Sequence, residues 1–579
     1  MTHSQKRTIL FAALALVAAA LAFWIVKVTA ASTAGAPTVS ADSVDTSTSD
    51  STAASTLSAA SAEFVFSDSG IAVTGSSSGT EISGTALTID EAGTYTVSGA
   101  CADGSIKIKK GTTGVTLILN GLDLTSSATA PITCAKSSEV TILAADGTEN
   151  VLTDSAQNND GEYPENTDAE NAVIKCKDGS TVTLCGAGSL TVNANGKNGI
   201  KSGGATDEAG KASLTIEELT LTINAAVNDA INAEQTLHIP SGTLTIAAAD
   251  DAIHADYDLN VGADGTDGPS ITITDCYEGL EAATLNIFSG NIDITATDDC
   301  LNAANSDLSG YDFTMNISGG TIRAYTSGGD GFDSNGDLTI SGGTVVVWTA
   351  SAADNQPLDA DGTITVTGGT VLAAGGSSGM GMNLSAAQPY VTFGGSTMGG
   401  FGGGKMQPPT GDRPDDMPEP PDDTQPSDRT DMTPPDGAQQ PSDMGTPPDG
   451  TQQPGDMGTP PDGFGDFGGT ALVAKGSTLT ITSGSDTLFS ETAPCDVRFV
   501  FYSAPKLADG ESCTLNADTE TAETAEAQTG ETQSGFTKPT GDPPARPSGE
   551  APADQPTPPD GTADAATPPQ DTTGTTTTT

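Results

Sequence analysis

The chain has 579 residues, and its 76 acidic against 21 basic side chains give a formal charge of −55. Phosphate would repel such a chain, which argues against nucleic acid as a partner. Aromatics make up 4%, with 69 Gly and 34 Pro; this composition suits a turn-dense all-β protein and excludes one built on large helices.

At the N-terminus, Lys6 and Arg7 precede an apolar run of 18 residues from Ile9 to Val26, followed by Val28-Thr29-Ala30-Ala31. Residues 1–31 therefore read as a signal peptide, cut after Ala30 or Ala31, or as an anchor tethering the chain to the membrane through residues 9–26. Both readings make the remainder extracellular, secreted or tethered to the cell membrane. Residues 32–62 are Ser, Thr and Ala with little else, the composition of a disordered linker.

From residue 63 to 393 short alternating runs separated by Gly and Asp predict strands. Examples are Ala86-Leu87-Thr88-Ile89, Val115-Thr116-Leu117-Ile118-Leu119 and Val140-Thr141-Ile142-Leu143. From about residue 182 a repeat becomes regular. One copy runs Leu237-His238-Ile239, then Thr243-Leu244-Thr245-Ile246, then Asp250-Asp251-Ala252-Ile253-His254-Ala255-Asp256. A coil of about 22 residues with three short strands fits a parallel β-helix, a solenoid whose coils bury their apolar faces only against each other. Ile231, Ile253, Leu280, Leu301, Phe332 and Leu358 form one expected inward ladder. Leu244, Ile292, Ile322, Val345 and Val371 form another.

Residues 394–469 break the pattern. Thr-Pro-Pro-Asp-Gly recurs at Thr433, Thr446 and Thr459, and this Pro/Gly/Asp/Met-rich segment reads as a disordered insertion. Strand signals resume over 470–516, completing the domain, and 517–579 reads as a disordered tail. The whole chain is expected to be a monomer.

Eight cysteines in an exported chain allow up to four disulfides. Cys495 and Cys513 are the best pair, with Cys276–Cys300 and Cys176–Cys185 as further options. The alternative is that several are small buried apolar residues. No CxxC pair occurs, and the only histidines are His3, His238 and His254, so a zinc centre is disfavoured.

The motif closing each coil is acidic. Two positions before its inward residue stand Asp229, Asp251, Glu278, Asp299 and Asp330. Asp250 and Asp298 sit one place earlier. Glu281, Asp333 and Asp359 follow the inward residue directly, as do Asn232, His254 and Asn302, and Asp256 lies two further on. Neighbouring coils lie about 4.8 Å apart, so ionised carboxylates stacked in a row repel one another. Ca2+ would relieve this by taking six to eight oxygens from carboxylates, amides and carbonyls. The alternative is a solvated acidic edge of turn-forming Asp and Asn. Arg323 is the only arginine between Arg7 and Arg413 and is the one candidate catalytic base for a lyase. Tyr325 and Trp348 hold equivalent places on successive coils and are candidates for a sugar-stacking stripe.

Ala92-Gly93-Thr94-Tyr95-Thr96-Val97-Ser98-Gly99, Leu117-Ile118-Leu119-Asn120-Gly121, Asn198-Gly199-Ile200-Lys201-Ser202, the motif ending at Asp256, and Ser503-Ala504-Pro505-Lys506-Leu507-Ala508-Asp509-Gly510 carry a resemblance. Through these residues the segment from about 64 to 390, with Val497 to Leu515, resembles a bacterial family of carbohydrate-binding domain-containing proteins. The resemblance implies an extracellular right-handed parallel β-helix with bound calcium, similar in fold to pectate lyases. It also implies binding of cellulose-like glycans or acidic sugars such as polygalacturonate. The expectation is calcium-dependent, non-catalytic polysaccharide binding. The alternatives are a calcium-dependent pectate-type lyase using Arg323 and a structural surface adhesin or spacer.

Overall fold

The computed structural model describes residues 62–205, 212–306, 308, 310–350, 355–376, 383–394 and 471–531, all within the compact unit Ala59–Thr579. The apolar run 9–26, the linker, the Pro-rich segment from residue 395 and the tail from residue 532 lie outside the described residues. Among the described residues the protein is all-β, with no helix.

The expected three-strand scheme is visible in the pairing. Thr236–Ile239, Thr243–Ala248 and the start of Ile253–Val261 follow one another, as the sequence pattern requires. Each pairs in parallel, in register, with its counterpart one repeat away. Thr220–Ala225 lies beside Thr243–Ala248 with Leu221 opposite Leu244 and Ile223 opposite Ile246. Thr243–Ala248 in turn lies beside Ser270–Asp275, with Leu244 opposite Ile271. Three such ladders run through the parallel-paired strands.

In-register pairing turns each apolar position into a continuous stripe. Ile200, Ile231, Ile253, Leu280, Leu301 and Phe332 are successive Cα partners, and all are fully buried. Leu244, Ile292, Ile322, Val345 and Val371 are fully buried as well. The residue before each of the first set must be small. A Cβ on Gly279 would lie 2.2 Å from the Cys300 carbonyl oxygen, and one on Gly331 would lie 2.2 Å from Val347 Cγ1. These contacts explain the glycine in those copies.

The far end of the stack is covered. Phe499–Ser503 pairs antiparallel with both Thr370–Gly375 and Leu384–Phe393, stopping further parallel addition. A separate antiparallel sheet contains Thr478–Ser483, Asp486–Thr492, Ser512–Ala517 and Glu520–Glu526. Its apolar face joins a second core with Val346, Trp348, Leu372, Val391 and Phe393. Here two expectations need correction. The tail does not begin at residue 517, because Glu520–Glu526 and Gln528–Glu531 are strands. The first lies against Ser512–Ala517 and the second against Leu384–Phe393, and their Thr, Ala and Glu composition hid them because they contribute almost nothing to a core.

The second correction concerns cysteine. All eight are free thiols, and seven of them are buried. Cys495 directs its thiol to the Thr349 carbonyl, whereas Cys513 sits within the end sheet opposite Ser483 and Ala525, so each has its own packing environment. Cys134 and Cys176 are direct rung partners in the main core. Cysteine here serves as a small apolar rung.

Truncating one rung should unsettle both of its neighbours. Leu301→Ala is expected to destabilise the protein by about 2–5 kcal/mol, read as a lowered midpoint in urea with circular dichroism; a change within error would show that the stripe is not cooperative.

Candidate functional site

The acidic motifs converge along one edge of a single ladder. The position after each inward residue forms an outward row, and strand register fixes its order: Asn232, His254, Glu281, Asn302 and Asp333. Asp359 follows, its amide donating to the Phe332 carbonyl. A second row two places before the inward residue holds Asp229, Asp251, Glu278, Asp299 and Asp330.

Two clusters of ligand-type atoms form where the rows meet. In the first, Asp251, His254 and Glu281 each place a donor atom within 4.8 Å of the others. His254 Nδ1 lies 2.5 Å from Glu281 Oε2 and 3.5 Å from Asp251 Oδ2, and Nε2 lies 3.0 Å from Asp256 Oδ1. Burial works against the imidazolium, but hydrogen bonds to Asp251, Asp256 and Glu281 outweigh it and push its pKa up to about 12. His254 thus bonds three carboxylates, and Asp251, His254 and Glu281 together form a group that could hold a metal ion.

In the second cluster, Asp330, Asp333 and Asp359 also bring their oxygens within 4.8 Å of one another. At that separation each ionised pair costs about 3.5 kcal/mol at an effective dielectric constant of about 20. Burial, then the charges of Asp359 and Asp361, push Asp333 up to about 6. Burial, and then Asp333 and Asp330 against a hydrogen bond from the Asp330 amide, push Asp299 up to about 7. Asn302, the rung partner of Asp333, is 8% exposed, and its Oδ1 accepts no hydrogen bond. These are hard oxygen donors, the kind of ligand that Ca2+ takes.

The remaining acids divide by their partners. Asp229 accepts from Asn232 Nδ2 at 2.6 Å, and burial raises it to about 6. Glu278 accepts from Asn302 Nδ2 at 2.9 Å, and burial raises it to about 8. Asp299 accepts from the Asp330 amide at 2.6 Å, and Asp330 from the Gln356 amide. Asp298 bonds the exposed Tyr277, and Asp250 is half-buried and raised by burial. Asp250, Asp256 and Asp298 thus stand apart from the second cluster.

Arg323 and the aromatic stripe lie on a different ladder, beside an open groove of about 410 Å³ lined by Thr272, Thr274, Asp293, Arg323, Tyr325 and Trp348. The guanidinium is held by Glu491 at 2.6 Å, which does not suit a base. Tyr325 and Trp348 are rung partners, as expected. Trp348, however, is only 5% exposed and belongs to the second core. The end sheet that covers it could not be foreseen from the spacing, so the stripe is reduced to the half-buried Tyr325.

One set of residues was missed. The outward row continues in the other direction through Lys201, Lys175, Thr133 and Lys107. The signal was present: aligning Asn198-Gly199-Ile200-Lys201 with Asp330-Gly331-Phe332-Asp333 puts Lys201 in the place of Asp333.

A family described as "Carbohydrate-binding domain-containing protein" matches residues 83–379. A protein of the same description from Acetivibrio thermocellus is 39% identical over 123 residues, which is 21% of this chain and 42% of that protein. The match therefore spans less than half of the relative's length. A solved structure described as the polysaccharide lyase-like protein from C. thermocellum, a gadolinium derivative, aligns over 53% of this chain and 96% of its own, at 24% identity and a TM-score of 0.32.

The buried carboxylates set a pH dependence. Glu278 ionises near 4.5 when unfolded and near 8 when folded, so between those values the folded state holds a proton the unfolded chain has released. Its contribution to stability is complete below about 4.5 and is lost as pH rises through about 8. In chelator, Glu278→Gln keeps an acceptor for Asn302 and is expected to raise the melting temperature at pH 8 by roughly 2–8 °C, while leaving it unchanged at pH 4. An unaltered pH profile would show that Glu278 does not carry the effect.

Proposed function

Because this chain belongs to the family of carbohydrate-binding domain-containing proteins, we propose that it binds polysaccharide outside the cell, without cleaving it, on a calcium-loaded right-handed parallel β-helix. The observation that carries the calcium reading is the convergence of three carboxylates, Asp330, Asp333 and Asp359, whose oxygens all lie within 4.8 Å of one another. Asp330, Asp333 and Asp359 would hold the ion, and it would supply charge neutralisation and open coordination positions for glycan oxygens. The acidic surface of the protein makes such a bridge useful, since it otherwise repels an acidic glycan.

The repeat supports the glycan reading in a second way. A straight outward row with a rung about every 4.8 Å offers an extended polymer the same kind of contact many times over. The ion pair between Arg323 and Glu491 favours binding over the lyase alternative.

Calcium at 100 times its Kd is expected to stabilise the protein by about 2.7 kcal/mol, and Asp333→Asn should abolish that gain in thermal melts. A glycan array with and without EDTA tests the binding. Retention that needs calcium supports the proposal; no retention in either buffer favours a spacer, and unsaturated products from polygalacturonate would favour a lyase.

A further inference from the structure

The lysine end of the outward row has no role in the calcium site, and its charges do not cancel. Lys175 and Lys201 are direct rung partners, so their backbones stand about 4.8 Å apart with both side chains on the same face. Like charges directly across neighbouring strands are unfavourable, and the local acids relieve only one of them. Glu234 lies 3.0 Å from Lys201 Nζ, which also donates to Asn232 Oδ1 at 3.1 Å. Glu170 is taken by Lys177 at 2.7 Å, and Asp178 by Lys136. Lys175 has no ion pair or side-chain hydrogen bond among the described residues, although it is half-buried. Burial, and then the charge of Lys201, pull its pKa below the usual lysine value, while Glu234 and Glu170 act the other way. An ammonium in this position lacks both full hydration and a counterion.

We propose that Lys175 and Lys201 form an anion seat that takes the carboxylate of an acidic sugar directly, without a bridging cation. This rests on the glycan-binding reading and, of the two ligand classes that the resemblance implies, selects the uronate-containing one. Lys107, exposed on the same row two rungs from Lys175, extends the positive end. From Lys201 to Asp333 the row passes Asn232, His254, Glu281 and Asn302, so the two ends lie about 24 Å apart. A chain of uronates along this edge would be held by ammonium groups at one end and through the ion at the other.

The test is calorimetric titration of the full chain with oligogalacturonate, in EDTA and in calcium. In EDTA the wild type is expected to bind, with affinity falling as NaCl is raised. Lys175→Gln is expected to lose roughly tenfold to hundredfold, Lys175→Arg to retain binding, and binding of a neutral cello-oligosaccharide to be the same in both variants. Lys175→Gln binding oligogalacturonate as the wild type does in EDTA overturns the seat and leaves the glycan reading intact. So does a wild type that binds only in calcium, or whose binding in EDTA is indifferent to salt, a measurement that needs no variant to fold. A wild type that binds no glycan in either buffer overturns both.

Discussion

In-register parallel pairing is the constraint on which everything else here depends. A residue placed at one position of a ladder meets its counterpart about 4.8 Å away on each side. An apolar position benefits from this without further arrangement, because Ile231, Ile253, Leu280 and Leu301 bury one another. A charged position suffers from it, because like charges are stacked at the same spacing. The fold therefore obtains its core from repetition and must then deal with repetition on its outer face.

Each part of the outer row deals with it differently. At Asn232 and Asn302 an amide interrupts the run of charge and donates to a buried acid, Asp229 and Glu278 respectively. At His254 a cation sits among Asp251, Asp256 and Glu281. At Lys201 the compensation comes from Glu234 on the same face. Two places stand out on the row, the cluster of Asp330, Asp333 and Asp359 oxygens and Lys175, which has no ion pair among the described residues.

Much of this organisation was legible in the chain. The alternation of Thr243–Ala248, the recurrence of a small residue followed by an apolar one, and the glycines at the turns each identified strand, rung and corner. The acidic rows were legible for the same reason, since a fixed offset from an inward residue is a fixed direction on the surface. Cysteine was harder to read. The same spacing that would permit a bridge also suits a small buried side chain, and the thiols at Cys134 and Cys176 are rungs.

The sequence by itself determined the all-β repeat, the inward stripes and which carboxylates share a row, because these follow from local periodicity alone. Only the tertiary structure decided which partners each acid meets and which aromatic is open. His254 takes its counterions from its own strand and from Glu281 on the next, 27 residues away. Trp348 is closed by strands that return after the long segment outside the described residues, and Arg323 is held by Glu491 from that same returning sheet. Charge balance and exposure are sums over neighbours, and on a ladder the nearest neighbours in space are a full repeat away in the chain.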